Sequence, residues 1–556
     1  MISSFQLKSG RAPGAAAQPI PASHVTVFVG PNNSGKSQVL REIEQFCRTG
    51  TRTTTAVVLD QIAFSGLPQV EASAAIVKLT QAPNPGESVQ VGHQIIGSRG
   101  TRQQVAVANL EQFVVNPNAN PQAFCSWFLT HCTLRLDGQS RIGLVNMQPA
   151  GDLQLAPQSS LQVLFRDDVK RQEVRRIVAD AFNSYFVIDP TSSGHFRVRL
   201  SPRPPSTAIE ERGIHAEAVQ FHGNAQLIDQ ASDGVKAFTG IVVELVAGDP
   251  RVLLIDEPEA FLHPSLASTL GNEISRAAVS TDKRVFVATH SPNFVMGCIQ
   301  SGTPVNIVRL TYRAGVATAR ILPSNDLLEL MRKPLLRSTG VLSGLFYEFV
   351  VVTESDADRA FYQEINERLL RFQPEMGIPN CLFINGQNKQ TVKTIIQPLR
   401  ELGIPAVGVV DVDVVKDGGK VWTDLLVAAS VPALEHGSLG QLRGAVRSAM
   451  DNTNKDMKRD GGVDILQGTD KEAALNLFEH LAEYGIFVVP GGELESWLKP
   501  LGATGHSPNW LIDIFQKMGD DPASSQYVKP SSGDVWNFLG SIRAWLTNAN
   551  RKGIPA

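Results

Sequence analysis

Apolar and polar positions fall into two series along the 556-residue chain, each alternating short apolar runs with helical patterns. The first opens at Val25–Val29 (VTVFV), followed by a glycine-rich turn and the amphipathic stretch QVLREIEQF. It resumes with VLLI at 252–255, the helical PSLASTLGNEISRAAV, and VFVA at 285–288. The second series starts at Phe349 with FVVV (349–352), CLFI (381–384), AVGVV (406–410) and IFVV (486–489). Helical patterns RAFYQEINERLL and TVKTIIQPLREL separate the first of these runs. Strands apolar on both faces, alternating with helices, predict an α/β fold with parallel sheets. Residues 51 to about 150 read as short strands broken by Gly, Pro and Asn, among them AVVLDQIAF and SRIGLVNM. Residues 160–185 read as helical, and the polar SPRPPSTAIEERG follows. MRKPLLRSTG interrupts both patterns and sets a domain boundary near 330–345. The tail after about 500 reads as loop-rich until the helix DVWNFLGSIRAWL. No internal repeat and no sustained heptad pattern is present, which argues against a long coiled coil.

Composition narrows the class. With 42% hydrophobic and 19% charged residues the chain is globular and not disordered. No run approaches the roughly 20 apolar residues of a membrane helix. MISSFQLKSGRAPG lacks the pattern of a secretion signal. Five scattered cysteines (Cys47, Cys125, Cys132, Cys298, Cys381) suit a reduced, cytoplasmic protein with no membrane partner. The formal charge of −3 does not advertise nucleic-acid binding, although a local basic patch can hide in a neutral total.

The glycine-rich turn is specific. Gly30-Pro31-Asn32-Asn33-Ser34-Gly35-Lys36-Ser37 matches G-x-x-x-x-G-K-[ST] between a strand and a helix. Backbone amides of Asn32, Asn33, Ser34 and Gly35 would surround phosphate oxygens of ATP. Lys36 would neutralise the β- and γ-phosphates, and Ser37 would ligate Mg²⁺. VLLI ends in Asp256 and Glu257, suited to holding the cation and polarising the attacking water. The interval of 220 residues between Lys36 and Asp256 (256 − 36) implies a large insertion, at about 60–225, expected to include a dimerisation segment. Ala231-Ser232-Asp233-Gly234 looks like a degenerate ABC signature, in which Ser232 and Gly234 would contact nucleotide on the other subunit. His290, after VFVA, resembles the switch histidine that senses the γ-phosphate. EPEAFLHP, with Glu259 and His263, resembles the segment crossing the dimer interface in SMC-like ATPases. This order of motifs implies a homodimer with ATP between two chains.

The second series carries a different chemistry. Glu354-Ser355-Asp356-Ala357-Asp358 follows FVVV, Asp411-Val412-Asp413 follows AVGVV, and Glu493-Leu494-Glu495 follows IFVV. Carboxylates gathered at strand ends repel unless a cation neutralises them, and hard oxygen ligands suit Mg²⁺ or Mn²⁺. Asp411 and Asp413, two apart in an extended segment, would project to one side.

E-x-x-x-D followed by D-x-D resembles the Toprim domain. Its combination with an N-terminal ABC-type ATPase looks like the OLD (overcoming lysogenization defect) family of nucleases. The resemblance covers about 1–335 as ATPase and 345–500 as Toprim, leaving 501–556 as a tail packing on it. It implies Glu354, Asp358, Asp411, Asp413 and Glu495 as metal ligands or base, with DNA as substrate and a role in phage or foreign-DNA defence. A co-encoded defence protein or an RNA is a further possible partner. The family glutamate is normally followed by glycine; here Ser355 follows it, so the turn forms only if φ stays negative. Lys529, Arg551 and Lys552 in the tail are candidates for a phosphate contact. The expected function is an ATP-regulated, metal-dependent endonuclease. The alternative is a nucleotide-sensing scaffold that controls a partner effector.

Overall fold

The computed structural model describes residues 1–98, 101–155, 157–338 and 340–555. The chain divides into two compact units, Met1–Leu328 and Glu329–Ala556.

The N-terminal unit is built on a six-stranded sheet. Its order is Val316–Leu322, Val305–Arg313, Val25–Val29, Arg284–Ala288, Val252–Asp256, Thr133–Leu136. The last five run parallel, and the first is an antiparallel edge. All five residues of Val25–Val29 are buried, as a strand covered on both faces requires. On one face Val39, Leu40 and Ile43 of helix Lys36–Thr49 pack against Phe28, Leu254 and Phe286. Phe5, from a three-stranded antiparallel sheet, meets Phe28 and Phe286 at ring-centroid distances of 6.0 and 5.7 Å. Each such buried side chain contributes about 1.5–3 kcal/mol. The strand order sets the carboxyl ends of Val25–Val29, Arg284–Ala288 and Val252–Asp256 side by side, where ligands of α/β sheets bind.

Within about 60–225, Thr133–Leu136 joins the central sheet beside Val252–Ile255. SRIGLVNM does not begin as a strand: Ser140–Gly143 is a helical turn. The carboxylate of Asp137 accepts the Gln139 and Ser140 N–H groups and ends the strand there.

In the C-terminal unit four parallel strands run in the order Cys381–Asn385, Phe349–Thr353, Ala406–Val410, Ile486–Val488. The tail contains two helices, Pro508–Met518 and Asp534–Thr547, and is less loop-rich than expected. Their Trp510, Trp536, Leu539 and Ile542 share a core with Phe361, Ile365 and Val407. Arg400 is fully buried and donates to the carbonyls of Ala406, Ala429, Gly485 and Gly553 (2.8–3.2 Å), tying the chain end to the sheet. Among the described residues no helix is long and apolar enough to cross a membrane.

Candidate functional site

The phosphate loop has the backbone its glycines permit. Gly30 and Gly35 have φ of 144° and 94°, and a Cβ on Gly30 would lie 2.0 Å from the Leu310 carbonyl oxygen. Asn33 also has positive φ (61°), a conformation asparagine tolerates better than most residues. Helix Lys36–Thr49 begins at Gly35 with no side-chain cap and no acidic residue in its first turn. Its first N–H groups and its positive end therefore remain for an anion. Asn32 and Asn33 are exposed; Ser34 and Lys36 are buried. The Lys36 amine donates to the carbonyls of Gly30 (2.8 Å) and Pro31 (2.7 Å).

Asp256 reaches this loop directly: the Ser37 hydroxyl donates to its Oδ1 at 2.9 Å. Glu257 is exposed and has φ of 51°, a left-handed conformation costing about 1–3 kcal/mol in a non-glycine residue. Its N–H donates to the Ala288 carbonyl (2.8 Å), which fixes it beside the neighbouring strand. His290 Nε2 lies 3.6 Å from Glu257 Oε1, and burial with Lys36 nearby holds the imidazole below its usual pKa. Glu259 accepts the His290 N–H at 2.7 Å, so it supports the histidine within the same chain. His263 caps helix Pro264–Ser280. Ser232 is the exposed N-cap of helix Asp233–Val246, with Gly234 buried in its first turn.

Burial lowers the Lys36 pKa to about 8, while Glu257, Asp256 and Glu259 pull it upward. A phosphate beside the amine would restore the charge. ATP binding is expected to take up a proton at about pH 9 and none at about pH 7, where the amine already carries it. Calorimetry in buffers of different ionisation enthalpy measures this; equal uptake at both pH values would contradict it.

The second cluster forms at the carboxyl ends of the C-terminal sheet. Carboxylate oxygens of Glu354, Asp411 and Asp413 lie within 4.8 Å of one another. Glu354 accepts the Asp411 N–H at 2.9 Å. Burial, then Asp411, push the Glu354 pKa up to about 8, and burial raises that of Asp411 too. The grouping does not arise from an extended D-x-D. Val412–Lys416 is a 3₁₀ turn starting at Asp411, and the turn brings Asp413 back toward Glu354. Asp413 Oδ1 is buried with no hydrogen-bond partner.

Ser355 adopts φ −134°, so the turn after Glu354 needs no glycine. Ser355 and Asp358 form a reciprocal cap: Ser355 Oγ accepts the Asp358 N–H (3.2 Å), and Asp358 Oδ2 accepts the Ser355 N–H (2.9 Å). Asp358 is buried, and burial followed by Asp411 raises its pKa to about 7. The cap draws it out of the converging set. Glu495 falls in a different group, with Glu493 and His506. Glu495 Oε1 accepts from His506 Nδ1 (2.6 Å) and the Ser507 N–H (2.7 Å). A cavity of about 260 Å³ is lined by Glu354, Asp358, Asp411, Lys458, Glu495 and His506 together.

Lysines complete the cluster. Lys458 Nζ lies 2.6 Å from Asp411 and 3.8 Å from Glu493, and Lys389 Nζ lies 3.0 Å from Asp413. Burial works against the Lys458 charge, but Asp411, Asp413 and Glu354 together outweigh it and hold the amine above its ordinary pKa. The tail cations lie elsewhere. Lys552 pairs with Glu483 (2.6 Å), Lys529 stands over the Phe372 ring (5.4 Å), and Arg551 bonds the Asn548 carbonyl. Lys458, Lys389 and His506 gave no spacing signal in the sequence, whereas Glu493 stood in the acidic cluster after IFVV.

The donor set fits a hard divalent cation. Three carboxylates converge, one oxygen is buried without a partner, and burial followed by neighbouring carboxylates raises the Glu354 pKa, a cost that positive charge would relieve.

Residues 176–296 match the family model described as "AAA domain, putative AbiEii toxin, Type IV TA system". The match lies within the N-terminal unit. The matched interval contains Ser232, Gly234, Asp256, Glu257 and His290, and ends before the C-terminal unit begins. Among solved structures, the SmcHead bound to the C-winged helix domain of ScpA is 13% identical, over 59% of this chain and 99% of that one, with a TM-score of 0.34. The SMC head domain from Thermotoga maritima is 13% identical over 58% and 98%, TM-score 0.30. An Smc head domain with an extended coiled coil from Pyrococcus furiosus, bound to the C-terminal domain of ScpA, is 12% identical over 60% and 99%, TM-score 0.30. No curated protein matches the chain.

Proposed function

We propose that this protein is an ATP-regulated, divalent-cation-dependent DNA endonuclease, working as a homodimer through its ATPase unit. The observation that carries the nuclease half is the convergence of Glu354, Asp411 and Asp413 beside a cavity that also holds Lys458.

In the N-terminal unit Lys36 and the uncapped start of helix Lys36–Thr49 bind the phosphates, and Ser37 with Asp256 holds Mg²⁺. Glu257 takes the proton of the attacking water, with neutral His290 beside it. In the C-terminal unit Glu354, Asp411 and Asp413 would hold Mg²⁺ or Mn²⁺. A bound ion supplies a water of lowered pKa and polarises a phosphoryl oxygen. Asp358 fixes the turn that presents Glu354, while Lys458 balances charge on a phosphodiester entering the cavity. Lys416, Lys455 and Arg459 are exposed on the segments carrying Asp413 and Lys458, where they suit a polyanionic strand. The resemblance to OLD nucleases supports a setting in defence against phage or foreign DNA.

Mn²⁺ binding tests the cation assignment. Paramagnetic titration of Lys36→Ala, in which the nucleotide site is disabled, is expected to show a bound Mn²⁺ that the Lys36→Ala/Asp411→Ala double variant lacks. Equal binding by Lys36→Ala and by the Lys36→Ala/Asp411→Ala double variant would refute it.

Glu257→Gln is expected to bind ATP and hydrolyse it at least about 100-fold more slowly, since an amide cannot accept the proton. With ATP it should elute as a stable dimer. Turnover at the wild-type rate would place the base elsewhere.

One observation favours the scaffold reading. Lys458 and Lys389 already compensate two of the three carboxylates, as a docking module without an ion would need. That reading expects no Mn²⁺ at the C-terminal unit.

A further inference from the structure

The turn after Asp256 is one the backbone resists. Glu257 and Phe261 both have positive φ, 51° and 71°. Something must hold it, and the nearest side chain that does so is Arg141. Its Nη1 donates to the Glu257 carbonyl (2.7 Å) and the Asp256 carbonyl (3.1 Å). Arg141 is 0% exposed, and its guanidinium carbon lies 5.9 Å from the centre of the Phe261 ring. It comes from the helical turn Ser140–Gly143, which Asp137 anchors through Gln139 and Ser140.

Arg400 shows what a buried arginine serving packing alone looks like here: all three of its nitrogens donate to carbonyls. Arg141 differs. Its Nε and Nη2 are buried without a hydrogen-bond partner, and its one bonded nitrogen serves the two carbonyls of the Asp256–Glu257 turn. The other side of Arg141 meets helix Asp233–Val246, whose N-terminus carries Ser232 and Gly234. A Cβ on Gly240 of that helix would lie 2.1 Å from the Arg141 carbonyl oxygen, and one on Gly234 would lie 2.5 Å from the Phe261 carbonyl oxygen. These glycines let the helix press directly on both the Arg141 segment and the turn.

We propose that Arg141 is a positioning residue for ATP hydrolysis. It clamps the left-handed turn that aims the Glu257 carboxylate, and it passes the position of helix Asp233–Val246 to that turn. Engagement of the helix start by a partner's nucleotide would therefore be felt at the base through the buried guanidinium as well as through the direct contact of Gly234 with Phe261. The inference rests on Glu257 being the base and adds to it how the base is held.

The test uses the full-length protein. Arg141→Met is expected to lower kcat for ATP by about 100-fold, the scale of a misplacement near 1 Å, while ATP affinity and Tm change little. Arg141→Lys should restore part of the rate, because an ammonium can still donate to one carbonyl. In a Glu257→Gln background Arg141→Met should cause no further loss, since it acts through the carboxylate already removed. Gly240→Ala, which leaves the guanidinium in place and presses on its segment, should lower kcat in the same way. Arg141→Met turning over at the wild-type rate overturns the proposal. So does a loss of kcat matched by equal losses of affinity and Tm, or a further loss in the Glu257→Gln background. A wild-type rate for Glu257→Gln itself would instead remove the base assignment, and the two failures are thereby told apart.

Discussion

Lys36→Ala is expected to weaken ATP binding by at least about 100-fold, roughly 3 kcal/mol or more, in a titration with a fluorescent ATP analogue. Charge-assisted hydrogen bonds to phosphate contribute about 1.5–3 kcal/mol each, and Lys36 is the cation of the loop. Its amine is held by two loop carbonyls, which carry no charge and can release it to a phosphate. The fold should survive. The substitution removes a buried amine that burial already disfavours in its charged form, so Tm should move little. Unchanged nucleotide affinity would remove the phosphate-loop assignment.

Asp411→Ala is expected to lose metal-dependent DNA cleavage by about 1,000-fold or more, with ATP hydrolysis within about 2-fold of wild type. Asp411 is tied to both Glu354 and Lys458. Its N–H donates to Glu354, its carboxylate pairs with Lys458 at 2.6 Å, and its charge raises the pKa of Glu354 and of Asp358. Removing it takes a ligand from the ion and one of the charges that, after burial, raise the Glu354 pKa. The nucleotide site belongs to the other compact unit and should keep its own core. Asp413→Ala should act in the same direction, taking from Lys389 its 3.0 Å carboxylate partner and leaving it Asp417 at 3.6 Å. Cleavage retained in both variants would place the chemistry elsewhere; ATP hydrolysis lost in both would mean that Asp411 and Asp413 support the fold.

How much of this could be read from sequence depended on how local each feature was. The phosphate loop, the Asp256–Glu257 strand end and the four strands beginning at Phe349 are contiguous patterns, and each has a physical signature within a few residues. Cation partners for the acidic cluster are not local. Lys458 reaches Asp411 from a polar loop, and only the sheet order brings the two together. Arg141 was hidden for a related reason. It sits in a run that reads as a strand, and only the Asp137 cap turns that run into a helical turn. The tail misled because helix Pro508–Met518 is short and set between Gly- and Ser-containing stretches, although its Trp510 is almost wholly buried. The Ser355 position turned on a single dihedral: the alternation predicts a turn there, and φ of −134° lets a serine make it.

The most direct measurement is plasmid cleavage by the purified wild-type protein with Mg²⁺ or Mn²⁺, across a range of ATP concentrations, with Asp411→Ala alongside. The account predicts nicked or linear plasmid that requires the cation, changes in amount with ATP, and is absent with Asp411→Ala. Intact plasmid under every metal and ATP condition, from protein that still hydrolyses ATP, would contradict it.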